Sequence, residues 1–96
     1  MIEIKLLEHV GSFAENKDVA RDIRLSRIIP ALDGNEEVTL DFEGIDSATQ
    51  SFIHALICDL IRKYGNDVLD SIYFKSCNET VQKIINIVVE YTQEAE

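Results

Sequence analysis

A chain of 96 residues, 46% apolar and 28% charged, suits one globular domain over residues 1–96 and is too short for two cores. Eighteen acids against nine bases give a net charge of −9, a field that repels phosphate backbones and argues against nucleic acid as a partner. No apolar run reaches the length of a membrane span, no signal peptide precedes the first strand-like residues, and Cys58 and Cys77 fit no CxxC pattern. The expectation is a cytoplasmic domain with reduced thiols and no membrane contact.

Ile2-Glu3-Ile4-Lys5-Leu6 alternates apolar and polar residues, the period of a half-buried strand, and Gly11-Ser12 closes it. Ser12 with Glu15, or Asn16, starts a helix over roughly Lys17 to Leu25. Val19 and Ile23 share one helical face, whereas Leu25, Ile28, Ile29 and Leu32 share another. Pro30 lacks a donor and crowds the preceding turn, so a kink or break is predicted between Ser26 and Pro30. Arg21, Arg24 and Arg27 read as a solvated basic stripe paired with Asp18 and Asp22.

After the turn Asp33-Gly34-Asn35, Val38 to Phe42 forms a second strand, with Val38, Leu40 and Phe42 on one face and Thr39, Asp41 and Glu43 on the other. Gly44 permits an unusual backbone angle or a close approach. Ser47 and Gln50 have capping-box spacing, and Asp46 favours the dipole of the next helix. That helix runs to about Tyr64 and stops at Gly65-Asn66. Phe52, Ile53, Leu56, Ile57, Leu60, Ile61 and Tyr64 occupy one half of its wheel, and Ser51, Ala55, Cys58 and Arg62 the other. Ile72-Tyr73-Phe74 is a third strand. Ser76 and Glu79 then open a last helix through Val81, Ile84, Ile85, Val88 and Val89, with Gln93 to Glu96 fraying.

Strand and helix thus alternate three times, which implies an α/β fold with a small, mostly parallel sheet of three to four strands flanked by three helices. The fourth strand is sought between Leu7 and Phe13, and a partner chain is the other means of covering an open edge.

No GxGxxG, Walker loop, HExxH or GxSxG occurs, so the common cofactor and hydrolase signatures are missing, and no cofactor is expected. The carboxylates of Glu36, Glu37, Asp41, Glu43 and Asp46 are chemically suited to a divalent cation but read as a solvated sheet face and turn, and no metal is expected. Ser51 and His54 stand one turn apart without a third orienting group, so no catalytic residue is assigned and an enzyme is not expected. Ser51 remains as an outward hydroxyl beside a helix N-terminus, where a phosphate is tolerated.

At these residues the chain resembles the STAS superfamily, the domain of sulfate transporters and anti-sigma-factor antagonists, and within it the bacterial STAS-like family of unknown function. The resemblance is carried by Val38-Thr39-Leu40-Asp41-Phe42-Glu43-Gly44-Ile45, a polar turn, and Ser51-Phe52 opening a helix. It implies a mixed sheet flanked by helices and a role in protein–protein regulation. In anti-sigma-factor antagonists, a serine at this helix start is phosphorylated by a serine kinase that is also the anti-sigma factor. Aligned from Leu40-Asp41, Ser51 falls on that acceptor, though Thr49-Gln50-Ser51-Phe52 stands where those proteins carry Asp-Ser-Ser-Gly.

The expected function is a non-enzymatic interaction module resembling an anti-sigma-factor antagonist and switched by phosphorylation of Ser51. Its partner would be a serine kinase or anti-sigma factor with a histidine-kinase-type ATPase fold. The expected contact residues are Ser51, Ala55, Cys58 and Arg62, with Asp46, Ser47 and Thr49 in the preceding turn. The alternative is a small-molecule or anion sensor that uses the pocket at the same helix start. The sequence leaves the oligomeric state open.

Overall fold

The computed structural model describes the backbone of residues 1–94 and the side chains of residues 1–92. Its elements run β1 (Ile2–Lys5), α1 (Leu7–Val10), β2 (Phe13–Ala14), α2 (residues 17–33), β3 (Val38–Asp41), β4 (Ser47–Ala48) and α3 (residues 50–64). A 3-10 helix (Asn66–Ser71), β5 (Ile72–Lys75) and α4 (Glu79–Glu94) complete the chain. The expected α/β class, with a small parallel sheet flanked by helices, is what the structure shows, and a two-stranded ladder and the one-turn helix α1 stand beside the expected sheet and three helices.

β1, β3 and β5 form a parallel sheet in the order β1-β3-β5. Register places Ile2, Val38 and Ile72 in one row and Ile4, Leu40 and Phe74 in another, and these alternate residues turn toward the helices. The opposite face carries the rows Glu3–Thr39–Tyr73 and Lys5–Asp41–Lys75. Asp41, expected on a solvated face, is instead buried: it lies between two lysines on the central strand, and its Oδ1 accepts from the Glu43 N–H at 2.9 Å. Central strands lose solvent on both sides when long neighbouring side chains lie across them.

The region expected to hide a strand divides differently. Leu7–Val10 makes one helical turn, Gly11 adopts φ +72°, and only Phe13 of that region enters a strand, β2, which continues to Ala14. β2 pairs in parallel with β4, apart from the main sheet. Gly44 has φ +82°, and a Cβ there would stand 2.7 Å from Leu7 Cδ2, so both expectations for this glycine are met.

α2 starts where Asn16 Oδ1 accepts from the Asp18 and Val19 N–H groups at 3.0 and 3.3 Å. The helix does not break before Pro30, and the irregularity expected between Ser26 and Pro30 is a wide turn instead. Between α-helical Lys17–Ile23 and Ile29–Asp33, residues Arg24–Ile28 widen to a π-helix in which the Ile29 N–H reaches the Arg24 carbonyl. A wide turn takes one more residue, which rotates the succeeding turns about the axis and relieves the crowding that proline imposes. Ala20 and Ile23 before it, Ile28 at its end and Ala31 after it are therefore all buried, while Leu25, grouped with Ile28 by an ideal wheel, is exposed.

α3 repeats the device, with α-helical Gln50–Ile53 and Asp59–Tyr64 around π-helical His54–Cys58, and it ends where the Gly65 N–H bonds the Ile61 carbonyl. It lies between α2 and α4 and touches both. Phe52, Ile53, Leu56, Ile57, Leu60 and Ile61 are all buried. Where the two π segments meet, Arg24 Nη1 reaches Asp59 Oδ2 at 3.0 Å and donates to the Ala55 carbonyl. Arg24 is only 8% exposed and is thus not part of a solvated stripe with Asp18 and Asp22. Its Nε has no partner among the described residues.

α4 is capped by Asn78 rather than by the expected Ser76 and Glu79. Asn78 Oδ1 accepts from the Val81 N–H at 2.8 Å, whereas Ser76 takes a left-handed φ of +58° at the end of β5. Asn78 Nδ2 also donates to the Ile45 and Asp46 carbonyls. Residues 93 and 94, expected to fray, continue the helical backbone; residues 95 and 96 lie outside the described residues.

Arg24→Ala removes the buried cation that links α2 to α3 and lowers stability in urea by about 2–3 kcal/mol, and Asp59→Ala costs about as much because it leaves that guanidinium buried without its counter-ion. A loss under about 0.5 kcal/mol for Arg24→Ala contradicts the linkage. Partial burial and then the 2.6 Å hydrogen bond to Asp33 push the Tyr64 phenol up to about 12. A raised folded pKa favours the protonated phenol, so its contribution is complete below the ordinary value of 10.0 and is lost as pH rises through about 12. Tyr64→Phe accordingly flattens the fall in stability over that window, as followed by circular dichroism.

Candidate functional site

The start of α3 is built by tertiary hydrogen bonds that precede it. The Asp46 and Ser47 N–H groups both point at the Ser12 carbonyl, at 2.8 and 3.5 Å, and the Thr49 N–H bonds the Ala14 carbonyl at 2.9 Å. Ser47 is thereby drawn into β4 and does not cap the helix. Thr49 does, its hydroxyl accepting from the Phe52 N–H at 3.1 Å, while the Ile53 N–H bonds the Thr49 carbonyl. The N–H groups of Gln50 and Ser51 remain, beyond the reach of any intrahelical carbonyl. Ser51 is the second residue of α3 and is exposed, and its hydroxyl has no hydrogen bond among the described residues.

Ser51 opens onto a groove of about 450 Å³ between three helices. Lys17 of α2 stands on one side. Gln50, Ser51, His54 and Ala55 of α3 line the middle, and Ile87, Val88 and Tyr91 of α4 form the other wall. Val88 is buried, but Ile87 is 47% and Tyr91 66% exposed, a pair of large apolar side chains with no core to fill. A second, contiguous groove of about 560 Å³ shares Lys17, His54 and Ala55 and adds Asp18, Arg21, Arg24 and Asp59.

Of the residues singled out by sequence, Ser51 and Ala55 meet in this groove. Cys58 does not. It is 1% exposed, and the Thr92 hydroxyl of α4 points at its sulfur at 3.6 Å. The helical wheel misplaces it because the π segment His54–Cys58 departs from 3.6 residues per turn. Arg62 is exposed on a later turn and pairs with Asp59 at 3.6 Å. Asp46 is exposed with its backbone held by Ser12 and Asn78, and the Thr49 hydroxyl is engaged as the cap. His54 is half-buried, and no hydrogen bond joins it to Ser51 among the described residues. Lys17, Ile87 and Tyr91 escaped the sequence reading. Ile87 and Tyr91, four residues apart and off the apolar face of α4, are the signal that marks a second, unburied stripe.

Among the described residues, no group of three or more His, Cys, Asp or Glu side chains is placed to hold a metal ion. Burial, with Asp41 beside it, pushes the Cys77 thiol up, which favours its protonated form. No helix among those residues is long and apolar enough to cross a membrane.

A family model described as a STAS-like domain of unknown function matches residues 20–82, more than half of the chain. The match takes in β3, the Ser51 turn and all of α3, and it leaves out Lys17 and the Ile87–Tyr91 wall. Nothing among curated proteins or solved structures matches the chain.

The two capping-competent residues before α3 are separable by mutation. Thr49→Ala lowers stability in urea by about 1 kcal/mol, and Ser47→Ala changes it by less than about 0.5. The reverse order indicates that the helix starts at Ser47.

Proposed function

Since the chain belongs to the family of STAS-like domains of unknown function, we propose that it is a regulatory protein-interaction domain whose partner docks over the start of α3. The observation that carries this reading is the exposed, unbonded Ser51 hydroxyl at the mouth of a groove with an unburied apolar wall. Sites of that shape bind through a few anchors and a polar rim. Asp46 and Arg62, exposed but outside the groove lining, serve as outer contacts in this reading, and Ala55 within the lining lets a partner backbone approach closely.

Ser51 is the phosphoacceptor in this reading, matching the acceptor serine of the anti-sigma-factor antagonists that the chain resembles. The partner is accordingly a serine kinase or an anti-sigma factor with a histidine-kinase-type ATPase fold. A phosphate there adds a charge of about −1.5 to −2 beside two free helix N–H groups and within the groove that Lys17 lines. The helix tolerates that anion, whereas a docked partner must accommodate both its charge and its bulk. Binding changes while the fold does not. The same free N–H groups, with Lys17 and His54, support a second reading as a small-molecule or anion sensor.

Mass spectrometry of the cell-purified protein tests the acceptor and is expected to find phosphate on Ser51. Pulldown from native cytosol tests docking, with partner recovery falling about tenfold for Ser51→Glu and for Ala55→Arg relative to wild type. Equal recovery by all three baits removes the docking reading. A thermal shift with phosphates or nucleotides in the absence of any partner favours the sensor instead.

A further inference from the structure

The chemistry around the groove narrows what enters it. Lys17, Arg21 and Arg24, three of the chain's nine bases, line the two contiguous grooves, against Asp18 and Asp59 of its eighteen acids. Arg24 and Asp59 pair with each other at 3.0 Å, which leaves exposed Lys17 and Arg21 facing Asp18 alone. In a molecule of net charge −9, this rim is where an anionic segment meets attraction rather than repulsion. The facing wall is of the opposite character, with Ile87 and Tyr91 exposed above a floor of Ala55 and Val88. A nucleic acid carries its charge along its whole length and offers no large apolar side chains to that wall, which opposes it as the occupant.

We infer that the occupant is an acidic, amphipathic segment of a partner protein, its carboxylates on Lys17 and Arg21 and its large apolar side chains against Ile87 and Tyr91. This rests on the docking reading above and gives that partner a chemistry. Because Ser51 sits between the cationic rim and the apolar wall, a phosphate on it competes with the segment's carboxylates for Lys17.

Display selection on the immobilised full chain tests the inference, using random peptides of about sixteen residues, long enough for four helical turns. The enriched peptides are expected to be net acidic and to carry large apolar residues. Their binding weakens about tenfold in the double variant Lys17→Glu/Arg21→Glu and in Tyr91→Asp, and it weakens as salt is raised. All three side chains are exposed, so circular dichroism of the variants should match wild type. Enrichment without acidic bias, no enrichment over an unrelated protein, or undiminished binding by both variants overturns the inference. So does a dimer in sedimentation that Tyr91→Asp abolishes, since the occupant is then a second copy.

The same peptides tested on Ser51→Glu separate the two conclusions. Unchanged binding there removes the phosphoserine switch and leaves the acidic segment in place. Undiminished binding by the rim and wall variants removes the segment while a Ser51-dependent partner still stands.

Discussion

One buried cation sets the relation between two of the three helices that shape the groove. A π turn leaves its carbonyls less completely bonded than an α turn does, and both α2 and α3 contain one. Arg24, within the first, donates to the Ala55 carbonyl within the second and reaches Asp59 one turn further on. A guanidinium taken out of water is costly unless its hydrogen bonds are met, and here Nη1 has two acceptors while Nε has none among the described residues. Ala55, whose carbonyl takes that hydrogen bond, lines the groove with His54 beside it.

The sheet contributes a different kind of constraint. Its helix-facing rows are apolar and its other face is polar, so the layers close on one side only. Charge is managed there by pairing: Lys75 meets Glu3 at 3.2 Å, and the Tyr73 hydroxyl donates to Glu37 at 2.7 Å. These are solvent-screened contacts that add little stability and mainly fix side chains across strands. The face bearing Ser51 belongs to the helical layer and not to this polar sheet face.

Strand period, helix stops and the outward Ser51 were legible in the sequence because each rests on local chemistry: alternation at Ile2–Lys5, a C-terminal glycine at Gly65, a polar turn before Phe52. The burial of Arg24 and Cys58 was not, because both lie in π segments where a wheel of 3.6 residues per turn fails. Cap identity was half legible. Ser47 and Thr49 are equally able to cap, and the choice fell to a backbone bond from Ser12, thirty-five positions upstream of Ser47. Long-range pairing of this kind leaves no periodic trace, and the two-residue ladder β2–β4 was invisible for the same reason.

Asn78 carries a further consequence. Its carbonyl oxygen initiates α4 while its amide nitrogen grips the carbonyls of Ile45 and Asp46. The terminal helix therefore has no autonomous beginning: its first turn acquires its register from a bend more than thirty residues earlier in the chain.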